Sequence, residues 1–387
     1  MKYDFDKVIE RKGTDSHKWM KYGGEVIPLW VADMDFPSAE PIIQALHHRI
    51  DHGIYGYTRP PQALRHVIRD RLKTFYGWEI RDEDIIFLPG LVVGLNLATH
   101  VFSAAGEGVL LQPPVYHHFI SDPLHHGRVL NDPPLVQKGD SYEIDFTTFE
   151  KAITDQTRVF LLCNPHNPVG RVFRRDELEK MAEICLHRNV IICSDEIHCD
   201  LLYPGYRHIP MATLSPEIAN HTVTLMAPSK TFNLAGLDFG FAIIQSPTLR
   251  RKWEVFSQGL IPGVNIMGHV AALAAFKDGQ EWLDQVLQYL TANRDFLARY
   301  LKEKLPEIRM TKMEGTYLAW LDCRKAGIPG NPFEFFLREG KIAFNDGSEF
   351  GRGGQGFVRL NFACPRKRLT EALDRMVLAM EIGRAHV

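Results

Sequence analysis

Short, continuously apolar runs that alternate with helical patterns constrain this chain more than any other feature. Helical spacing appears at 61–76, 91–103 and 175–187. Strands that are apolar on both faces are typical of a mostly parallel sheet covered by helices. We therefore predict an α/β fold in which ligands bind at the carboxyl ends of the strands. The runs that predict these strands are IIFL (85–88), VLLQ (109–112), VFLLC (159–163), VIICS (190–194), TVTLM (222–226) and FGFAII (239–244).

The pattern changes after about residue 280, which predicts a second, smaller α+β domain. A long helical pattern covers about 281–304, and the short strands TYLAWL (316–321) and FVRLNF (357–362) follow it. A last helix starts at about Arg366. We predict a large domain over 46–280 and a small domain over 281–380. An N-terminal segment, 1–45, is expected to pack with the small domain or with a partner subunit.

The last seven residues, 381–387, read EIGRAHV. The codons GAG ATC GGA AGA GCA CAC GTC encode this string, and they match a common sequencing-library adapter. We predict that this tail is non-native and leave it out of the functional interpretation.

Composition excludes several classes of protein. Lys and Arg number 45, Asp and Glu number 47, and hydrophobic residues make up 45%. This balance argues against a disordered chain and against a protein that mainly grips nucleic acid or an anionic membrane. The N-terminal MKYDFDKVIERKG has no apolar h-region, and no apolar run reaches the ~20 residues of a membrane span. We expect a cytoplasmic protein with reduced, buried cysteines and no metal site, because CxxC, HExxH and Cys/His zinc spacing are absent.

Three polar segments each follow a predicted strand and supply residues suited to chemistry. NPHNPVGR (164–171) follows VFLLC, SDEIHCD (194–200) follows VIICS, and APSKTFNLAGL (227–237) follows TVTLM. The ends of neighbouring parallel strands meet at one edge of a sheet. An Asn, an Asp and a Lys at successive strand ends can therefore surround one small molecule.

These segments give the chain its resemblance to a known family. NPxNPxG, SDE and PSKTFNxAG, in this order, resemble pyridoxal 5'-phosphate (PLP) enzymes of fold type I, in the class I and II aminotransferase superfamily. The resemblance extends from the N-terminus to about residue 380. It implies PLP as cofactor, an amino acid as substrate, and a mostly parallel seven-stranded sheet between helices. It also implies a homodimer with shared active sites.

The resemblance implies a role for each of five residues. Lys230 would hold PLP as a Schiff base and move the α-proton of the substrate, because a buried amine has a lowered pKa. Asp195 would pair with the pyridinium nitrogen and keep the ring an electron sink. Asn167 would bond the phenolic oxygen of the ring and lie beside the substrate, and Tyr116 would stack on the ring. Arg359 would grip the substrate carboxylate through its planar guanidinium.

Further residues are implied as contacts of the phosphate. Backbone amides at the start of a predicted helix would face the anion, and this segment is Gly90, Leu91 and Val92. Ser229 would add a hydroxyl. Tyr57 would reach the phosphate of the neighbouring subunit, with Tyr55 as the alternative.

Two residues depart from the pattern of the family at the phosphate. Asp238 stands eight residues after Lys230, where many relatives carry an Arg, and Ala227 stands where many carry a Ser. We therefore expect the phosphate to be held more by backbone dipoles and hydroxyls than by a guanidinium.

Four segments indicate the branch of the family. LWVADMDFP (29–37), SDEIHCDL, APSKTFN and GFVRLNFACPR resemble the cystathionine β-lyase, or cysteine-S-conjugate β-lyase, branch of MalY and PatB type. His198 stands where many aminotransferases have a Tyr. The resemblance implies α,β-elimination at a Cβ–S bond to give a thiol, pyruvate and ammonia, as in methionine biosynthesis.

Two alternatives remain open at this point. An aminotransferase would use the same residues, and a PLP-binding regulatory protein would have little turnover. The sulfur substrate is also open; Trp19, Trp30 and the loop 345–356 are the residues suggested for its distal pocket. GRGGQG (351–356) fits GxGxxG literally but precedes a strand, which favours a flexible loop over a dinucleotide site.

Overall fold

The structure is a computed structural model that describes residues 2–385, in which there are fifteen β-strands and thirteen α-helices. The strands are β1 (Ile27–Pro28), β2 (Ile85–Leu88), β3 (Gly108–Leu110), β4 (Val129–Asn131), β5 (Val136–Lys138), β6 (Ser141–Glu143), β7 (Thr157–Cys163), β8 (Ile191–Asp195), β9 (Thr222–Met226), β10 (Gly240–Ile243), β11 (Arg309–Met310), β12 (Leu318–Asp322), β13 (Ile342–Ala343), β14 (Asn345–Asp346) and β15 (Phe357–Asn361). The helices are α1 (His17–Met20), α2 (Glu40–Asp51), α3 (Gln62–Tyr76), α4 (Leu91–Phe102), α5 (His118–His125), α6 (Phe146–Ala152), α7 (Arg175–His187), α8 (Pro216–Asn220), α9 (Pro247–Ser257), α10 (Ile266–Asp278), α11 (Gln280–Lys304), α12 (Pro332–Glu339) and α13 (Arg366–Ala385).

A seven-stranded sheet forms the centre of the molecule and confirms the predicted fold class. Its strand order is β2-β10-β9-β8-β7-β3-β4. The strands from β9 to β4 are parallel, and only β10 runs against its neighbours β2 and β9. Strands β8 and β9 are almost wholly buried, as their unbroken apolar sequences predicted.

The elements predicted from periodicity agree closely with the structure. The predicted strands at 85–88 and 222–226 and the predicted helix at 175–187 have their exact bounds. The largest differences are in the strands predicted at 109–112 and 316–321, which lie at 108–110 and 318–322. The apolar patterns used above did not predict the antiparallel direction of β10. They also did not predict the short strands β4, β5 and β6.

A second, four-stranded antiparallel sheet lies after residue 305, in the order β11-β12-β15-β14. Helix α13 packs against α11 and α12 beside it. Strand β1, near the N-terminus, pairs in parallel with β13, so Ile27 lies opposite Ile342. The domain boundaries at residues 45, 280 and 380 stay predictions.

Helix α4 lies close against the central sheet and starts at the edge where β7, β8 and β9 end. A Cβ atom on Gly94 would lie 2.9 Å from the side chain of Leu225 on β9. Only glycine permits this approach, so Gly94 sets the distance between the helix and the sheet. The N-terminus of α4 is thereby fixed beside the carboxyl ends of the parallel strands.

Three further expectations concern the termini, the membrane and the cysteines. Residues 381–385 continue α13, whereas His386 and Val387 lie outside the described residues, so the origin of the tail stays a prediction. Among the helices described, none is both long and apolar enough to cross a membrane. All six cysteines are free and buried.

Asn293 links α11 to the segment that follows β15, and its loss is expected to destabilise the fold. The side chain is fully buried and donates to the carbonyls of Phe362 (3.0 Å) and Cys364 (2.9 Å). Asn293→Ala leaves these acceptors unpaired, which costs about 1–3 kcal/mol of unfolding free energy. Urea unfolding measures this loss. The exposed control, Asn220→Ala, is expected to change stability by less than about 0.5 kcal/mol; equal effects of the two substitutions would contradict the assignment.

Candidate active site

A cavity of about 430 Å³ opens where the parallel strands end and α4 begins. The residues after β7, β8 and β9 contribute Asn167, Asp195 and Lys230 to its lining. Strand β15 contributes Arg359 from the opposite side. The sheet topology therefore brings together the Asn, the Asp and the Lys of the three polar segments, and Arg359 joins them from the second sheet.

Lys230 lies in the turn after β9, and its partly buried amine lines this cavity. Its Nζ donates a hydrogen bond of 2.8 Å to the carbonyl of Ala32. Burial lowers the pKa of Lys230 to about 8; the carboxylates of Asp33 and Asp195 oppose this change, and Arg359 adds to it. The amine is therefore partly neutral near physiological pH, as a base and nucleophile requires.

Asp195 is the last residue of β8 and is 6% exposed. Its Oδ1 accepts a hydrogen bond of 3.1 Å from the backbone of Ile197. Burial raises the pKa of Asp195 to about 7, against the lowering effects of that hydrogen bond and of Lys230. A cationic ligand nitrogen beside the carboxylate would lower this pKa again, because it would stabilise the charged form.

Arg359 carries a buried guanidinium that has neutral acceptors. It donates to Oδ1 of Asn167 (2.9 Å), to the carbonyl of Trp30 (2.9 Å) and to Oδ1 of Asn345 (2.5 Å). Its Nε is buried and has no partner among the described residues. Burial lowers the pKa of Arg359 to about 10, so the group keeps its charge at neutral pH. A buried cation of this kind attracts a carboxylate from a ligand.

Tyr116 and His198 flank the centre of the cavity. The backbone of Tyr116 donates to the carbonyl of Asn167 (3.1 Å), which ties the two segments together. Burial lowers the pKa of His198 to about 3, so its imidazole is neutral. Its Nδ1 is buried and unpartnered within the chain as described.

The start of α4 lies at one end of the cavity and offers free backbone amides. Gly90 has a φ of 102°, in the region that favours glycine, and turns the chain into the helix. The first amides of α4, at Leu91 and Val92, line the cavity together with Ser229. A helix N-terminus carries partial positive charge and suits a phosphate.

The two departures from the family pattern lie beside this end of the cavity. Asp238 lines the cavity and has left-handed backbone angles, with φ 47° and ψ 60°. Asp and Asn tolerate this conformation better than most side chains. Ala227 is buried directly after β9.

The structure does not bring every predicted residue into the cavity of its own chain. Tyr57 is exposed at the surface, at 113% of its reference area. Tyr55 is also exposed, and its hydroxyl donates to the carbonyl of Ile50 (2.9 Å). Trp30 lines the cavity, whereas the indole of Trp19 donates to Asp35 (3.1 Å) and is absent from the described lining.

Sequence reasoning missed several contributors to the cavity, of which the polar ones matter most for its chemistry. The lining includes His17, His117 and Asn345, and Asn345 belongs to the loop that we had suggested only as a whole. The carbonyl of Ala32 holds Lys230 but has no sequence signature, since every residue has a carbonyl. Burial lowers the pKa of His117 to about 4, with the neighbouring His118 adding to the effect.

This set of residues fits PLP. Asp195, with its raised pKa, is suited to a pyridinium nitrogen, and the amine of Lys230 to an aldehyde carbon. The start of α4 is suited to a phosphate. Arg359, which lacks a carboxylate partner in the described chain, is left to an amino-acid carboxylate.

Comparison with known proteins places the chain in a family. The model for aminotransferase class I and II matches residues 25–376, and the chain belongs to this family. Cystathionine β-lyase PatB of Bacillus subtilis is 39% identical over 385 residues, covering 97% of this chain and 100% of the relative. Protein MalY of Escherichia coli is 30% identical over 392 residues, covering 99% and 100%. The crystal structure of cystalysin from Treponema denticola, which contains a PLP cofactor, matches with a TM-score of 0.95 at 34% identity, covering 99% and 100%.

The titration of Lys230 provides a direct test of the electrostatics of the site. In PLP-free protein, reductive methylation of the Lys230 peptide is expected to rise with pH about a midpoint near 8. Only the neutral amine reacts, and burial disfavours the ammonium form. Mass spectrometry of the peptide measures the modified fraction, with the remaining lysines as reference. A midpoint near the ordinary lysine value of about 10.4 would contradict the burial argument.

Proposed function

We infer that this protein is a PLP-dependent carbon–sulfur β-lyase. It cleaves the Cβ–S bond of an amino acid such as cystathionine and yields a thiol, pyruvate and ammonia. The observation that carries this inference is the single cavity that holds the partly buried amine of Lys230, the buried carboxyl of Asp195 and the buried guanidinium of Arg359. The names of the relatives support the reaction: PatB is a cystathionine β-lyase, as is a relative from Corynebacterium glutamicum at 34% identity.

PLP supplies, when bound, an electron sink for the electron pair that remains on Cα after proton removal. We propose that Asp195 pairs with its ring nitrogen and that Asn167 bonds its phenolic oxygen. Tyr116 and His198 pack beside the ring. The phosphate is held by Ser229 and by the start of α4, at Gly90, Leu91 and Val92.

The residues of the chain divide the elimination between them. Arg359 binds the substrate carboxylate, which fixes the orientation of the bonds at Cα. The neutral form of the Lys230 amine accepts the α-proton, and the lowered pKa increases the fraction of this form near neutral pH. The thiolate then leaves Cβ with the electron pair of the C–S bond and is protonated. Hydrolysis of the unsaturated amino acid that remains gives pyruvate and ammonia.

We further propose a cytoplasmic homodimer with shared active sites. Tyr57 is fully exposed on the segment between α2 and α3, away from the cavity of its own chain. A partner subunit whose phosphate site receives this side chain would account for so exposed an aromatic ring. The six free cysteines are consistent with a reducing compartment.

A paired assay on the purified protein tests the reaction. L-Cystathionine without any keto acid is expected to give pyruvate and free thiol at equal rates. Lys230→Ala is expected to lose this activity to background, because no other side chain replaces the base, whereas the surface control Lys252→Ala retains it. Amino transfer that depends on a keto acid, without thiol release, would favour the aminotransferase alternative. Lys230→Ala with the wild-type rate would refute the scheme.

Replacing Arg359 by Lys tests the carboxylate site. Lysine keeps the charge but loses the planar fork, so kcat/KM is expected to fall about 10- to 100-fold, mainly through KM. Steady-state kinetics at saturating PLP measures the change. Arg175→Lys is the matched control, because Arg175 is exposed on α7 and pairs with Glu179 at 3.2 Å. Equal kinetics of the two variants would exclude Arg359 from substrate binding.

A further inference from the structure

A short segment at residues 30–36, here named the strap, runs between β15 and the turn that carries Lys230, and its first three residues line the cavity. Side chains from both sides donate hydrogen bonds to the carbonyls of most of its residues, and these bonds hold its backbone in place. The donors are Arg359 to Trp30, Asn361 to Val31 and Asp33, Lys230 and Tyr317 to Ala32, and Asn233 to Met34 and Phe36.

The carbonyl of Ala32 accepts two donors, and one of them is the amine of Lys230. Nζ of Lys230 lies 2.8 Å from it, and the hydroxyl of Tyr317 lies 3.0 Å from it. A carbonyl oxygen has two lone pairs and can serve both. Each donor brings a partial positive charge close to the oxygen, so each weakens the hydrogen bond that the oxygen accepts from the other.

Tyr317 donates its hydroxyl hydrogen to this carbonyl in its neutral form. Its side chain is fully buried, and burial raises the pKa of the phenol far above its usual value. Its ring lies with its edge toward the imidazole of His198, with centroids 6.2 Å apart. The hydroxyl is therefore neutral and points at the carbonyl of Ala32.

The backbone before Tyr317 is strained in a way that aims this hydroxyl. Thr316 has a φ of 66°, a left-handed angle that is unfavourable for a β-branched residue. It is held there by a hydrogen bond from its amide to the carbonyl of Leu201 (2.8 Å) and by one from the hydroxyl of Tyr203 to its carbonyl (2.7 Å). Strain of this kind persists only where the surroundings enforce it, and it is concentrated at functional sites.

We propose that Tyr317 is a positioning residue for Lys230 that acts through the carbonyl of Ala32. The tyrosine fixes the carbonyl that receives the free amine, and it lowers the proton affinity of that amine by sharing its acceptor. This inference rests on the proposed function, in which the amine of Lys230 accepts the α-proton.

Removing the hydroxyl of Tyr317 is expected to change the pKa of the Lys230 amine in one direction. Without it, the carbonyl of Ala32 is fully available to the ammonium form of Lys230, so the pKa of the amine rises. The other groups that act on this amine remain in place. They are Asp33 in the strap, Asp195 and the neutral His198 at the end of β8, and Arg359 on β15.

The test compares wild type, Tyr317→Phe and Tyr142→Phe. Tyr142 is the matched control, since it is buried and its hydroxyl accepts from the indole of Trp320 (3.2 Å), outside the cavity. In PLP-free protein, the pH midpoint for methylation of Lys230 by formaldehyde and cyanoborohydride is expected to rise by about half a unit to one unit in Tyr317→Phe. Tyr142→Phe is expected to leave it unchanged.

In the PLP-loaded enzyme, Tyr317→Phe is expected to lower kcat about fivefold with little change in KM, because proton transfer rather than binding is affected. The acid limb of its kcat profile moves to higher pH. Thermal unfolding verifies that the variants are folded. Thr316→Gly is a second variant that keeps the hydroxyl of Tyr317 but relieves the backbone strain before it. It is expected to move the methylation midpoint of Lys230 in the same direction by a smaller amount.

A methylation midpoint that is the same in wild type, Tyr317→Phe and Thr316→Gly would overturn the proposal. The result also separates the two hypotheses. A shifted midpoint in a protein that releases no thiol would support the role of Tyr317 toward Lys230 and refute the lyase reaction. An unshifted midpoint in an active lyase would refute only the role of Tyr317.

Discussion

The burial of charged side chains in one cavity is the constraint on which the rest of the structure depends. Lys230 and Asp195 lie in the same cavity, yet no ion pair within 4.0 Å joins them in the part of the chain that is described. Removing an ion from water costs several kcal/mol even after the surroundings relax. Burial moves the pKa values of Asp195 and Lys230 toward neutrality, which reduces this cost, and Arg359 faces space for a carboxylate.

The fold meets this constraint by joining two kinds of support. The parallel strands β7, β8 and β9 place their terminal residues within one cavity, and the close packing of α4 adds a positive helix end beside them. Strand β15 brings Arg359 from the antiparallel sheet. The strap at residues 30–36 then ties β15 to the turn of Lys230 through its carbonyls. Arg359 and Lys230 are thus held to the same backbone segment, which would fix the two groups relative to each other for the proposed reaction.

The sequence predicted the parts of this arrangement that depend on side-chain chemistry at strand ends. Lys230, Asp195 and Asn167 could be predicted because buried parallel strands have a distinctive apolar pattern and their ends meet at one edge of the sheet. The contact of Ala32 could not be predicted, because it depends on a backbone carbonyl and joins residues almost two hundred positions apart. Tyr317 resembles any apolar strand residue in sequence, and the strain at Thr316 is visible only in backbone angles. Tyr57 is exposed, and the role proposed for it requires a second chain, whose position a single sequence does not give.

The local backbone conformation explains why an aspartate is suited to position 238. Its backbone is left-handed, and the preceding residue, Leu237, is held by a hydrogen bond from Asn265 to its carbonyl (2.8 Å). Asp bears this conformation at lower cost than a long side chain such as Arg, so the turn itself favours the acid. The acid also places a negative charge beside the end of the cavity that suits a phosphate. Attraction for that phosphate must therefore come from the amides at the start of α4 and the hydroxyl of Ser229, whose dipoles are fixed by the fold and require no counter-charge.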